Sequence, residues 1–153
     1  MRISGIENDS VVDGEGIRLT VFFQGCAHRC TGCHNPETWP FNAGTEYSIE
    51  DILNIYDTNP LLDGITLSGG DPVYQAEAAL DLTHAIHKRK GTVWLYTGFT
   101  LEELRENEDP IVQKLVNSVD VIVDGPFILE KRDLTLQFRG SSNQRILRKG
   151  TDY

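Results

Sequence analysis

Residues 17–39 read IRLTVFFQGCAHRCTGCHNPETW, an apolar run followed at once by a loop holding all three cysteines of the chain, Cys26, Cys30 and Cys33. The stretch Ile17 to Phe23 is rich in β-branched and aromatic residues, the composition of a buried strand. The cysteines follow it in the spacing C-x3-C-x2-C. Three thiolates are one fewer than the four that a cubane of four irons normally takes, so a cluster held here leaves one iron open to a ligand that is not protein. The alternative is a structural zinc site completed by His28 or His34. Such sites need four protein ligands, usually in two separated pairs, and the chain has no second pair.

Outward from this loop, the composition bounds the rest. A chain of 153 residues, 39% hydrophobic and 24% charged, is expected to form a single soluble domain spanning 1–153 with its own core. The net charge of -9 supplies no basic footprint, which disfavours nucleic acid as a partner. No stretch approaches the roughly 20 apolar residues of a membrane helix, and MRISGIENDSVVDGEG at the N-terminus lacks the apolar centre of a signal peptide. A cytoplasmic protein without a membrane partner is expected. In a reducing compartment an odd number of clustered cysteines reads as metal ligands or redox groups.

Strands and helices alternate along the chain, which favours a mainly parallel sheet with crossover helices. Ser48 caps a helix that stops before Pro60, Gly64 to Ser68 is a short buried strand, and Gln75 to Lys90 is a helix ended by Gly91. A strand at Thr92 to Tyr96 leads to a short acidic helix capped by Thr100. A helix from Pro110 to about Ser118 follows, then a strand from Val119 to Val123 and one or two short strands in the polar C-terminal part. About five strands and four helices are too few for a closed eightfold barrel, which takes roughly 250 residues; an open, partial β/α barrel fits the length.

Ligands of parallel α/β sheets bind beyond the C-terminal ends of the strands. The cysteines follow the first strand, Gly69-Gly70-Asp71-Pro72 the second, Thr97-Gly98 the third and Asp124-Gly125-Pro126 the fourth. A Gly-Gly-Asp-Pro tetrapeptide reads simply as a tight turn. Its functional reading is close backbone approach to a charged small molecule, with free carbonyl groups and the Asp71 carboxylate suited to an ammonium group.

The C-x3-C-x2-C loop after one strand and the Gly-Gly-acid-Pro loop after the next resemble the radical S-adenosylmethionine superfamily. Within it, VVDGEGIR (11–18) and CHNPETW (33–39) are similar to the activating enzymes of glycyl-radical enzymes. WLYTGFTLEEL (94–104) and VDVIVDGPFILEKRDLTLQFRGSSNQR (119–145) resemble the branch that activates anaerobic (class III) ribonucleoside-triphosphate reductase, and the likeness covers essentially the whole chain.

The resemblance implies an open β/α barrel of the radical SAM type. It also implies one 4Fe-4S cluster per chain on Cys26, Cys30 and Cys33, and S-adenosyl-L-methionine chelated at the open iron. Gly69, Gly70 and Asp71 occupy the motif that receives the methionine amino group, and Gly32, Cys33 and His34 the stretch that contacts adenine. Thr97 and Asp124 stand where relatives touch the rest of the cofactor or a cation, and Asp13 lies in a loop that relatives place near the incoming glycine. The implied partners are the anaerobic reductase and an external electron donor such as flavodoxin. The remaining alternatives are an activator of another glycyl-radical enzyme and a non-catalytic zinc-binding module. Gly32 stands where superfamily members carry an aromatic residue, and Asp13-Gly14-Glu15-Gly16 replaces a commoner DGPG. No chemical reading of RGSSNQR (139–145) follows from its residues beyond an exposed polar loop.

Overall fold

In the computed structural model, which describes residues 1–153, the strand expected at residues 17–23 is the second of seven. Arg2–Ser10 forms β1, which pairs antiparallel with β2, Arg18–Phe23. Sequence patterning gives no sign of β1, because only Ile3 and Ser10 of its nine residues are buried and the usual alternation is missing. Thr45–Glu46 (β3) adds a two-residue antiparallel margin to β1.

On the other side of β2 the strands β4 (Gly64–Gly69), β5 (Thr92–Tyr96) and β6 (Val121–Asp124) run parallel to it and to one another. Arg145–Arg148 (β7) forms the far margin, antiparallel to β6. The order β3-β1-β2-β4-β5-β6-β7 is linear, with β3 and β7 as its two edges. The mixed α/β fold thus has the expected parallel strands at its centre, with antiparallel margins that the sequence left unassigned or only sketched.

Local signals set the helices. Ser48 and Asp51 form a reciprocal capping box at α1 (Ile49–Asp57), and Thr100 and Glu103 do the same at α3 (Leu101–Glu106). Asp109 caps α4 (Pro110–Ser118), with proline at its first position. The helix expected from Gln75 is preceded by a 3-10 turn at Pro72–Gln75 and begins as α2 at Ala76–Lys88. It ends at Lys88, two residues short of the expected Lys90, with Lys90 taking the left-handed conformation at φ 62° and Gly91 N–H donating to Ile86 O at 3.0 Å.

The two faces of the parallel strands differ. Leu19, Val21, Ile65, Leu67, Val93, Leu95 and Ile122 join Ile52, Leu82, Ile86 and Leu115 of the helices in one core of 23 buried residues. The alternate strand positions contribute only Trp94, Val121 and Val123 to a second apolar cluster. Buried polar side chains share these positions: Arg18, Thr20 and Thr66. Arg18 carries no carboxylate partner; its guanidinium donates to Thr66 Oγ1, Glu15 O, Ile65 O and both oxygens of Thr92, at 2.8–3.0 Å. Burial lowers its pKa to about 10. The helices pack on one face of the sheet, while the other face and the C-terminal strand ends carry buried polar groups. No helix is long and apolar enough to cross a membrane.

Candidate functional site

The cysteine loop leaves the end of β2 and is pinched shut at its base. Gly25 N–H donates to Thr38 O at 2.6 Å and Cys26 N–H to Trp39 O at 3.1 Å, while the Gln24 amide donates to the carbonyls of Glu37 and Pro40. Inside the loop Arg29 (φ 50°) and Gly32 (φ 79°) both adopt positive φ, and Cys33 N–H donates to Cys30 O. These turns fold the loop back so that all three cysteines, each a free thiol, face one cavity of about 150 Å³.

The opposite wall of this cavity is the end of β4. Gly69 sits at φ 99°, where a Cβ would stand 2.3 Å from Phe23 N, and a Cβ on Gly70 would stand 2.4 Å from Gly25 O. Gly70 N–H donates to Phe23 O and Asp71 N–H to Gly25 O. The double glycine therefore lets the β4 turn lie directly against the base of the cysteine loop, an approach that a side chain would prevent. Tyr96, Thr97 and Gly98 from the end of β5, with Gln144, complete the part of the lining that matters here.

Not every expected residue lines the cavity. Gly69, Gly70 and the three cysteines do. Asp71 is wholly buried and stands behind the wall: Oδ1 accepts from Val73 N–H at 3.0 Å, and Oδ2 accepts from Thr97 Oγ1 at 2.8 Å and Gly98 N–H at 2.9 Å and meets His28 Nε2 at 2.7 Å. Gly32 is exposed and packs toward Leu129 and Phe127. His34 is exposed, 5.4 Å from the Phe127 ring centroid, and borders a neighbouring cavity together with Asp13 and Tyr96. Thr97 is in the lining, whereas Asp124 is not; its oxygens are taken by Leu101 N–H and the Arg145 guanidinium.

Three residues of the site have a place that sequence reasoning misses. His28 is visible there only as a zinc candidate, yet it is the one loop residue clamped by Asp71. Tyr96 closes a strand without any motif; its hydroxyl is buried without a partner, and burial, then the nearby Asp13 charge, raises its pKa, so it stays a neutral donor. Gln144 reaches the cavity from the RGSSNQR segment, where its amide also accepts from Gly140 and Ser141 N–H and donates to Gly125 O.

The donor set fits an iron-sulfur cluster better than a single ion. No three His, Cys, Asp or Glu side chains stand around one point in the manner of a mononuclear site, whereas a cubane takes each thiolate on a different iron. His28, one of the two candidates for a fourth ligand, is engaged by Asp71. Burial, and after it the Asp71 charge, holds the Cys26 thiol above its ordinary pKa, so ionising it in this wall is costly until a metal compensates the charge.

The comparisons agree with this donor chemistry. A family model described as a 4Fe-4S single cluster domain matches residues 12–147. The chain is 42% identical over 146 residues to the anaerobic ribonucleoside-triphosphate reductase-activating protein of Vibrio cholerae, covering 90% of this chain and 92% of that protein. It is 36% identical over 145 residues to the protein of the same name from Escherichia coli K12, covering 89% and 91%, and 33% identical to that of phage T4, covering 88% and 86%. Among solved structures, QueE from Escherichia coli superposes with a TM-score of 0.54 at 20% identity, over 65% of this chain and 52% of that one, a likeness of fold.

Proposed function

The chain belongs to the family of anaerobic ribonucleoside-triphosphate reductase-activating proteins, and we propose that it activates that reductase by generating a glycyl radical on it, as a radical SAM oxidoreductase. The carrying observation is that three free thiols and the Gly69-Gly70 turn face one cavity at the C-terminal ends of parallel strands. In this reading residues 1–153 form one domain built as an open β/α barrel, working in the cytoplasm. Its partners are the reductase and an external electron donor such as a flavodoxin, with neither nucleic acid nor membrane involved.

Cys26, Cys30 and Cys33 would hold one 4Fe-4S cluster per chain, leaving its fourth iron for S-adenosylmethionine. Gly69 and Gly70, backed by Asp71 of the same motif, would hold the methionine end, and the stretch Gly32, Cys33 and His34 the adenine. Bound there, cluster and cofactor would supply one-electron reductive cleavage of the sulfonium to methionine and a 5'-deoxyadenosyl radical, the species that would take a hydrogen atom from a glycine Cα of the reductase. The protein's own part is placement. The pinched loop base fixes where the thiols point, and the double glycine brings backbone without side chains to the wall, where its carbonyls would serve as acceptors for an ammonium group. Tyr96 separates this cavity from the neighbouring one, into which Asp13 and His34 face. Hydrogen-atom transfer needs near contact, so the glycine must arrive on the side of the sheet that the helices leave free.

The test is anaerobic. Protein reconstituted with iron and sulfide, reduced with dithionite and given S-adenosylmethionine, is expected to form 5'-deoxyadenosine without the partner. Cys26→Ala, Cys30→Ala and Cys33→Ala are each expected to lose the cluster's visible absorption and the product together. Absence of the product from wild-type protein whose cluster is present and reduced contradicts the reading.

A further inference from the structure

We infer that Asp71 and His28 form a latch that positions the cysteine loop, and that the acid of the Gly-Gly-Asp-Pro turn acts through His28 instead of meeting the ligand. The inference rests on the proposed function only in taking Cys26 to Cys33 as the cluster loop.

The geometry leaves the carboxylate little else to do. Asp71 has no exposed surface, and its Oδ2 already receives three partners from three segments: His28 from the cysteine loop, and Thr97 Oγ1 and Gly98 N–H from the end of β5. Oδ1 caps the turn that opens α2. A carboxylate has roughly four acceptor positions, so a ligand ammonium would have to displace a bond in a buried site, where an unpaired donor is costly. The cavity in front of Asp71 is instead lined by its neighbours Gly69 and Gly70.

His28 is held as firmly on its own side. It lies between Cys26 and Cys30, its ring packs edge-on against Phe99 with centroids 4.5 Å apart, and Tyr74 stands at 5.9 Å. A Cβ on Gly98 would come within 2.6 Å of the imidazole, so that glycine makes room for the ring. Beyond the backbone bond from Asp71 N–H to Gly25 O at the loop base, His28 supplies the only side-chain hydrogen bond between the cysteine loop and the turn that follows β4. Through Asp71 the turn bearing two of the thiols and the turn bearing the double glycine are fixed to one another and to β5.

A double-mutant cycle separates a latch from a ligand contact. His28→Ala, Asp71→Ala, the double variant and His28→Gln, which keeps a donor able to reach the carboxylate, are compared by alkylation of Cys26 in metal-free protein, resolved by mass spectrometry. In cluster-loaded protein they are compared by iron loss to a chelator and by S-adenosylmethionine affinity, read from the change in the reduced cluster's paramagnetic spectrum. Each alanine variant is expected to speed both alkylation and iron loss by about tenfold, the order of one lost charge-assisted hydrogen bond. The double variant should be no faster than the faster single, and His28→Gln should recover most of the loss. The two alanine variants should weaken S-adenosylmethionine binding to the same extent. Additive effects, failure of His28→Gln to rescue, or binding lost in Asp71→Ala but kept in His28→Ala overturn the latch. If wild-type protein fails to cleave S-adenosylmethionine while the cycle is non-additive, the proposed function falls and the latch stands.

Discussion

Arg145 reaches back from the first residue of β7 to Asp124 at the last residue of β6, with Nε 3.0 Å from Oδ1 and Nη2 2.5 Å from Oδ2, and Asp124 is almost wholly buried. This pair fastens the last strand to the parallel core and accounts for one end of the RGSSNQR segment. Its middle is fastened as well: Asn143 donates to Pro126 O and Gln144 to Gly125 O, so the segment holds the β6 loop beside the cysteine cavity.

Removing the guanidinium leaves Asp124 with one donor, Leu101 N–H. Arg145→Ala should therefore cost about 2–3 kcal/mol of stability, less than for a fully enclosed pair because Arg145 is partly solvated. Urea unfolding of metal-free protein measures this.

The same arginine holds exposed Glu102 at 2.7 Å, and that hydrogen bond lowers the Glu102 pKa from 4.5 to about 2. A carboxylate depressed in the folded state adds stability above its unfolded pKa and loses it as pH falls through the folded one. The stability difference between wild type and Glu102→Gln should accordingly be constant above pH 5 and shrink as pH falls from about 4.5 toward 2, a trend that denaturation midpoints across that range would reveal.

Arg18 is a buried cation satisfied by neutral oxygens alone. Arg18→Ala should cost roughly 3–5 kcal/mol, from the lost volume and the orphaned carbonyls. Arg18→Lys should recover only part of it, since an ammonium has three donors and no planar fork. Unfolding midpoints that fail to separate lysine from alanine count against this role.

Gly70→Ala places a Cβ 2.4 Å from Gly25 O, a backbone atom that cannot swing aside. A loss of about 1–3 kcal/mol is expected from overpacking, together with faster iron loss to a chelator, because the displaced atoms belong to the base of the cysteine loop.

Much of this was legible in the sequence. The central strands announce themselves by continuous apolar runs, and the helix starts by the capping residues Ser48 and Thr100, whose bonds the structure shows, and by Pro110 at a first turn. The margins do not: β1 buries two side chains, and β3 is two residues long, so neither carries a pattern. At the site, spacing points to the cysteines and the double glycine because thiol chemistry and absent side chains are visible in one dimension. The pairing of His28 with Asp71 spans 43 positions and exists only once β2, β4 and β5 lie side by side. Arg18, within the strand read at residues 17–23, likewise gives no sign in one dimension that the polar face of the sheet encloses it.

The most direct measurement is paramagnetic resonance on the anaerobic reductase after incubation with the reduced, cluster-loaded protein and S-adenosylmethionine under strict exclusion of oxygen. The expected result is a doublet from an unpaired electron on a glycine Cα, split by its remaining hydrogen, absent when Cys33→Ala protein is used. A reductase that stays without this signal, while the cluster is intact and reduced and 5'-deoxyadenosine accumulates, contradicts the claim that this chain installs the radical.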